Sequence, residues 1–280
     1  LDAEHFLKGE YLPLPSLIKA AKLHFLHSDL PTIRRASANT DPAYDRAQDI
    51  IKESHKTGRR KLILLSGVPG SGKTLVGIRL SYESEFSKLA TTRIIPRSNG
   101  TFQEITPPNA SIFLSGNGPL VAVLKNALGR GSNQFIQDVR KYVQHHESGD
   151  KRIPLHHVII FDEAQRAWDK GKVERRHKGA VIGSEPDMFI GMANRIPDWG
   201  AVVGLIGTGQ EIHDGEESGL QQWIDAIVNT GSVDNWDIHA PPGIIEQLET
   251  GTIQSYSEPY LTLNTTIRTH FGEMLHHWVD

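Results

Sequence analysis

The stretch Gly67-Val68-Pro69-Gly70-Ser71-Gly72-Lys73-Thr74 satisfies the pattern G-x-x-x-x-G-K-[ST] and constrains this chain more than any other feature. Glycines at these spacings let backbone N–H groups turn inward around phosphate oxygens, and a following helix aims its N-terminus at the same point. Such a loop needs a buried strand before it and a helix after it. Lys61 to Ser66 is a short apolar run, and Thr74 to Ser81 continues at helical period, so the flanks fit. Gly67, Gly70, Ser71, Gly72, Lys73 and Thr74 are therefore the expected ATP-binding residues, with Lys73 reaching the β/γ-phosphates and Thr74 offering a hydroxyl to Mg²⁺. The bland alternative is a glycine-rich turn that only shares the letters.

The rest of the chain supplies a sheet for that loop. Ser111 to Leu114, His157 to Phe161 and Ala201 to Ile206 read as buried strands, and Ser132 to His146 and Glu185 to Arg195 as helices. Alternation of short apolar strands with helices implies an α/β domain, a parallel sheet with helices on both faces. Before the loop, Ser16 to Leu23 and a stretch from Asp41 to Lys56, opening after Pro42, read as a helical lead-in. We therefore divide the chain into a helical segment at 1–60 and an ATPase lobe at 61–280. Ser87 to Asn109 reads as a loop excursion or ragged hairpin, and Tyr260 to Leu263 as a last strand before a closing helix.

Composition excludes some chemistry. The chain has no cysteine, which removes disulfides and thiolate sites and fits a reducing compartment, so a cytoplasmic location is expected. No apolar run reaches the roughly 20 residues of a membrane-spanning helix. A net charge of -3 gives no global attraction to nucleic acid, leaving that role to local basic surface such as the run containing Arg175 and Arg176, although a solvated charged loop is its commoner meaning. Leu1 in place of methionine reads as a fragment or trimmed chain. Tryptophans 168, 199, 223 and 278 are expected to pack in the core rather than stack on bases. Adjacent histidine pairs at 145–146, 156–157 and 276–277 suit no common chelate spacing, and no zinc site is expected.

Three further groups carry chemistry. Asp162-Glu163-Ala164-Gln165 follows the most apolar strand, where parallel-sheet sites place their ligands. Asp162 would face the Mg²⁺ through water and Glu163 would take a proton from attacking water; a helix N-terminus decorated with acids is the alternative. Gly207-Thr208-Gly209-Gln210 also lies directly beyond a strand, which makes Gln210 a candidate γ-phosphate sensor, or the segment a simple loop. Arg268, near a helix start, could neutralise charge on a transferred phosphoryl group.

Taken in order, Gly67 to Thr74, Phe113-Leu114-Ser115-Gly116-Asn117-Gly118-Pro119-Leu120-Val121, Phe161 to Trp168 and Leu205 to Ile212 resemble the Schlafen-like DNA/RNA helicase domain, a family grouped with superfamily 1 helicases. The likeness runs from about Phe6, through Tyr11 to Ser16, to Trp278. It implies a RecA-like first lobe in which Gln165 helps position water and nucleotide, Gln210 couples hydrolysis to movement, and Arg268 contacts the γ-phosphate. It also implies single-stranded DNA or RNA as partner, met by Ser115, Asn117 and Gly118, against the alternative of a tight Gly-Pro turn whose Asn satisfies its own backbone. Thr208 stands where many superfamily 1 members carry an acid. A second RecA-like lobe is expected beyond this chain, and the first lobe alone is expected to hydrolyse ATP slowly. Two other readings stay open here: a remodelling ATPase of the AAA+ type, and an ATP-dependent nucleic-acid-binding switch without sustained turnover.

Overall fold

The computed structural model describes residues 31–96, 100–129, 131–167, 170, 171, 173, 183–207 and 219–264. Helix α1 (Pro31–Thr57) precedes strand β1 (Arg60–Gly67), the phosphate loop and α2 (Lys73–Ser81). A two-stranded antiparallel excursion follows, β2 (Arg93–Pro96) and β3 (Phe102–Ile105), so the hairpin alternative for that segment holds. Then come β4 (Ser111–Ser115), α3 (Gly118–Leu128), β5 (Ile136–Asp138), α4 (Val139–Glu147), β6 (Val158–Phe161), α5 (Glu185–Arg195) and β7 (Gly200–Gly207). The described chain ends with α6 (Gln221–Asn229), β8 (Trp236–Ala240), β9 (Gln254–Ser257) and the two-residue β10 (Thr262–Leu263).

The main sheet has the order β5-β4-β6-β7-β1-β8-β9, with β10 joining β1, and every pairing in it is parallel. Side chains alternate across its strands and so feed two separate cores. Leu62, Leu64, Ile112, Leu114, Ile159 and Phe161 face one core with α4, α5 and α6. Ile63, Leu65, Phe113, Val158, Ile160 and Val203 face the other, with α1, α2 and α3. This is the RecA-like α/β arrangement, and the two-sided burial explains why the central strands read as unbroken apolar runs. Among the described residues no helix is long and apolar enough to cross a membrane.

Several local expectations need correction. The chain is helical from Pro31 and runs straight through Pro42, rather than starting there. Ala43, Ala47, Ile50 and Ile51 are buried at helical spacing against the sheet, and that packing outweighs the roughly 3 kcal/mol a helix-interior proline costs. The expected helix over 132–146 is divided. Residues Ile136–Asp138 pair with Phe113–Ser115 as β5, and the Asp138 carboxylate then caps α4 by accepting from the backbone N–H of Arg140 (3.0 Å) and Lys141 (3.1 Å). The strand expected over Tyr260–Leu263 shrinks to Thr262–Leu263 behind a 3₁₀ turn at Pro259–Leu261. Trp199 and Trp223 are buried, as expected of packing residues, whereas Trp168 and Trp278 lie outside the described residues.

Candidate nucleotide site

Ser115, Phe161, Gly207 and Gly67 end the adjacent strands β4, β6, β7 and β1, so the segments that follow them emerge side by side along the C-terminal edge of the sheet. Gly67 is in register with Gly207 on one side and Leu263 on the other. No side chain fits at Gly67: a Cβ there would lie 2.9 Å from both the Cβ and the carbonyl oxygen of Leu263 and would collide with Ser71 Oγ. The loop then turns through Gly70 (φ 80°) and Gly72 (φ 100°), left-handed torsions that favour glycine, and Gly72 leads directly into α2. Gly77 lets that helix lie close on the sheet, since a Cβ would come within 2.7 Å of Leu205 Cδ1 and 2.9 Å of Phe113 Cε2.

Lys73 is buried, and its ammonium donates to the carbonyls of Gly67 (2.7 Å) and Val68 (3.0 Å) within the loop. Ser71 Oγ is buried without a hydrogen-bond partner. An orphaned hydroxyl inside a loop of this geometry is the feature expected of a cradle shaped for phosphate oxygens, and the residues present fit a nucleoside triphosphate.

Across from the loop sits Asp162, 5% exposed. Its backbone N–H donates to Leu114 O (2.9 Å), which locks it to the end of β4. Thr74 Oγ1 lies 3.3 Å from Oδ1 and Ser115 Oγ 3.4 Å from Oδ2. Burial, together with the neighbouring Glu163 charge, pushes the Asp162 carboxyl up to about 7, against the lowering influence of the two hydroxyls and of Lys73. A buried carboxylate that has hydroxyl donors and, among the described residues, no ion-pair partner is a ready ligand for a hard cation, and Thr74 and Asp162 are the residues that would hold Mg²⁺.

Glu163 adopts a left-handed backbone (φ 60°, ψ 45°), which among the described non-glycine residues only Asp198 shares in the sign of φ. That conformation costs about 1 kcal/mol or more. Gln165 holds it there. The Gln165 amide donates to Glu163 Oε2 (2.6 Å), while its carbonyl oxygen accepts from Gly207 N–H (2.8 Å) at the end of β7. Helix α6 supports the same turn from behind, with Trp223 Nε1 donating to Ala164 O (3.3 Å) and Gln222 Nε2 to Ala167 O (3.1 Å).

Beside Asp162 opens a cleft of about 440 Å³, walled by Ser115, Asn117, Arg140, Glu163, Arg166 and Glu185 among others. Asn117 on its wall and the following Gly118 are exposed, and Asn117 Oδ1 caps α3 by accepting from Leu120 N–H (3.1 Å), ahead of Pro119 in the first turn. Cap and proline together start a helix where the sequence suggested only a tight Gly-Pro turn or a nucleic-acid-contacting segment. Ser115 is 1% exposed, its hydroxyl directed at Asp162 rather than outward. Arg140 and Arg166 on the cleft wall were not singled out from the sequence; Arg166 stands next to the acidic motif, but nothing local marks Arg140. Gln210, Arg268, Arg175 and Arg176 lie outside the described residues.

No curated protein matches the chain. The family model described as Schlafen group 3, DNA/RNA helicase domain, matches residues 60–280, from the first residue of β1 through the phosphate loop and the acidic turn to the end of the chain. By that match, which covers most of the chain, the chain belongs to the Schlafen group 3 DNA/RNA helicase domain family.

Proposed function

We propose that this domain binds ATP with Mg²⁺ and hydrolyses it, and that hydrolysis is coupled to movement along single-stranded DNA or RNA. The observation that carries this reading is the meeting of Thr74, Asp162, Glu163 and Gln165, with Asp162 88 residues from Thr74 in sequence yet 3.3 Å from its hydroxyl.

In this reading the loop from Gly67 to Thr74 holds the phosphates, with Ser71 Oγ and the Lys73 ammonium turning from the loop toward them. Thr74 and Asp162 hold the metal ion. Bound Mg²⁺ supplies positive charge that favours the ionised form of Asp162 and offsets charge on the phosphate oxygens. Glu163 accepts the proton of the attacking water, and Gln165 fixes where that carboxylate stands. Gln210 and Arg268 keep their proposed roles as sensor and γ-phosphate contact. Residues 61–280 form the motor lobe, after a helical segment at 1–60. A second RecA-like lobe completes the site, and an arginine supplied across such a boundary is worth roughly 10³ to 10⁵ in rate. Asn117 and Gly118 meet the nucleic-acid strand, together with Arg175 and Arg176.

The test is ATP hydrolysis with and without single-stranded DNA or RNA, for the natural sequence and for Lys73→Ala. Stimulation by a strand, abolished by Lys73→Ala, is expected. Hydrolysis that ignores both strands and survives Lys73→Ala overturns the reading.

A further inference from the structure

Ser115 occupies an unusual junction. It is the last residue of β4, 1% exposed, and its hydroxyl lies between two partners of different kinds. On one side Asn117 N–H donates to Ser115 Oγ (3.2 Å). On the other Ser115 Oγ donates to Asp162 Oδ2 (3.4 Å), and Asp162 Oδ1 in turn faces Thr74 Oγ1 (3.3 Å) at the start of α2. A hydroxyl has one proton to give, so the amide of Asn117 occupies its acceptor side and leaves that proton for the carboxylate.

The row of contacts therefore runs from an exposed rim to the metal-facing carboxylate without a break. Gly116, Asn117, Gly118 and Pro119 are exposed, and Asn117 both caps α3 and reaches Ser115 through its own N–H. Movement of Asn117 would carry with it the amide that donates to the Ser115 hydroxyl. Both contacts to Asp162 are long for hydrogen bonds to a carboxylate oxygen, so the carboxylate is poised between two hydroxyls rather than clamped by either, and small displacements at either end alter its placement.

We propose that Ser115 is a positioning residue that couples single-strand binding at Asn117–Gly118 to the Mg²⁺-dependent hold on nucleotide at Thr74 and Asp162. This rests on the nucleotide and strand sites of the preceding section. Coupling of this kind is reciprocal, so a strand tightens nucleotide binding by the same factor that nucleotide tightens strand binding.

The experiment titrates Mg²⁺ while following binding of a fluorescent ATP analogue to the full chain, with and without an oligothymidylate or oligouridylate. Binding of the labelled strand is measured in parallel with and without nucleotide. In the natural sequence a strand should lower the half-maximal Mg²⁺ concentration. In Ser115→Ala the half-maximal Mg²⁺ should rise about fivefold, the scale of one lost hydrogen bond, and the strand should no longer shift it. Ser115→Thr, which keeps the hydroxyl, should restore the shift.

The proposal is overturned if Ser115→Ala keeps both the natural Mg²⁺ midpoint and its response to strand, or if folded Ser115→Thr loses them. If Ser115→Ala does not fold, Ser115→Cys, close in volume and a weak donor, is expected to show the same loss, and a retained shift there also overturns it. A natural chain that binds nucleotide with Mg²⁺ and binds strand, but shows no shift between them, refutes the coupling and leaves the site reading standing. A chain that binds no nucleotide refutes the site reading itself.

Discussion

The two ends of the central sheet treat buried charge in opposite ways. At the end where the strands begin, Lys61 on β1 and Asp237 on β8 face each other in register, 1% and 2% exposed, with Lys61 Nζ 2.6 Å from Asp237 Oδ2 and 2.9 Å from Glu53 Oε1. Arg59 adds a second cation to Asp237 at 2.5 Å. Burial alone would raise the Asp237 carboxyl, but the hydrogen bonds and charges of Arg59 and Lys61 prevail and hold it below the usual carboxylate value. At the end where the strands finish, the side chains that hydrogen-bond Asp162 among the described residues are the hydroxyls of Thr74 and Ser115, and burial and Glu163 push it up to about 7 against the lowering influence of those hydroxyls and of Lys73. The first carboxylate is satisfied by the protein itself. The second is kept under-compensated, the condition expected where a ligand must bring the missing charge.

Histidine at the strand-start end follows the same rule as Asp237. Arg93 donates to His157 Nε2 (3.1 Å), which fixes Nε2 as an acceptor, so Nδ1 carries the proton and donates to Trp199 O (2.9 Å). The ring also stacks on Trp199 at 4.5 Å. Burial lowers its pKa to about 4 and keeps it neutral.

The sharpest way to break this contrast is to neutralise each carboxylate in turn. Asp162→Asn removes a poorly compensated buried charge, so thermal stability should hold or rise, while strand-stimulated ATP hydrolysis falls by about 10² to 10³. A loss of stability comparable to a core truncation would contradict the assignment. Asp237→Ala should do the reverse: it leaves Lys61 and Arg59 without their shared partner and costs about 3–5 kcal/mol in denaturant unfolding, with nucleotide affinity unchanged in the folded fraction. Equal stability of the two proteins would remove the distinction between the ends.

Acidification supplies a third test. A histidine whose folded pKa is lowered to about 4 from 6.5 binds its proton more weakly folded than unfolded. Its contribution is therefore complete above pH 6.5 and is lost as the pH falls from there toward 4, by on the order of 3 kcal/mol at most. His156, lowered to about 4, and His146, to about 3, by burial first, act in the same direction. Melting temperature should drop steeply across that window, and a flat profile would show these rings to be solvated. The smallest effect is expected from Asn117→Ala, which removes the cap of α3 and should cost about 1 kcal/mol in thermal or denaturant unfolding.

Legibility in the sequence followed locality. Strands β1, β4, β6 and β7 were readable because burial on both faces makes them continuously apolar, and the loop between β1 and α2 because its glycine torsions are set by neighbours in the chain. Strand β8 escaped notice. Its five residues, Trp236-Asp237-Ile238-His239-Ala240, are all buried, but two are ionisable and break the apolar run. They are tolerated only because partners from far away in sequence reach them, Lys61 for Asp237 and Glu258 for His239 at 2.9 Å. The helix 118–128 was hidden for a different reason: the Asn-Gly-Pro sequence serves a tight turn and a capped helix start equally well, and only docking of Val121 and Leu124 on the sheet decides between them.

Neighbouring residues alone were enough to show that a glycine-rich loop stands between a buried strand and a helix, and that two acids follow a second strand. Those are properties of residues within one turn of each other. Packing of distant strands was needed to bring Ser115 against Asp162, to hold Glu163 in a left-handed turn through Gln165 and Gly207, and to give Asp237 the cations that Asp162 lacks among its described hydrogen-bond partners. Electrostatics and hydrogen bonding in a low-dielectric interior depend on which groups the fold brings within a few ångströms, and here those groups come from strands tens to hundreds of residues apart.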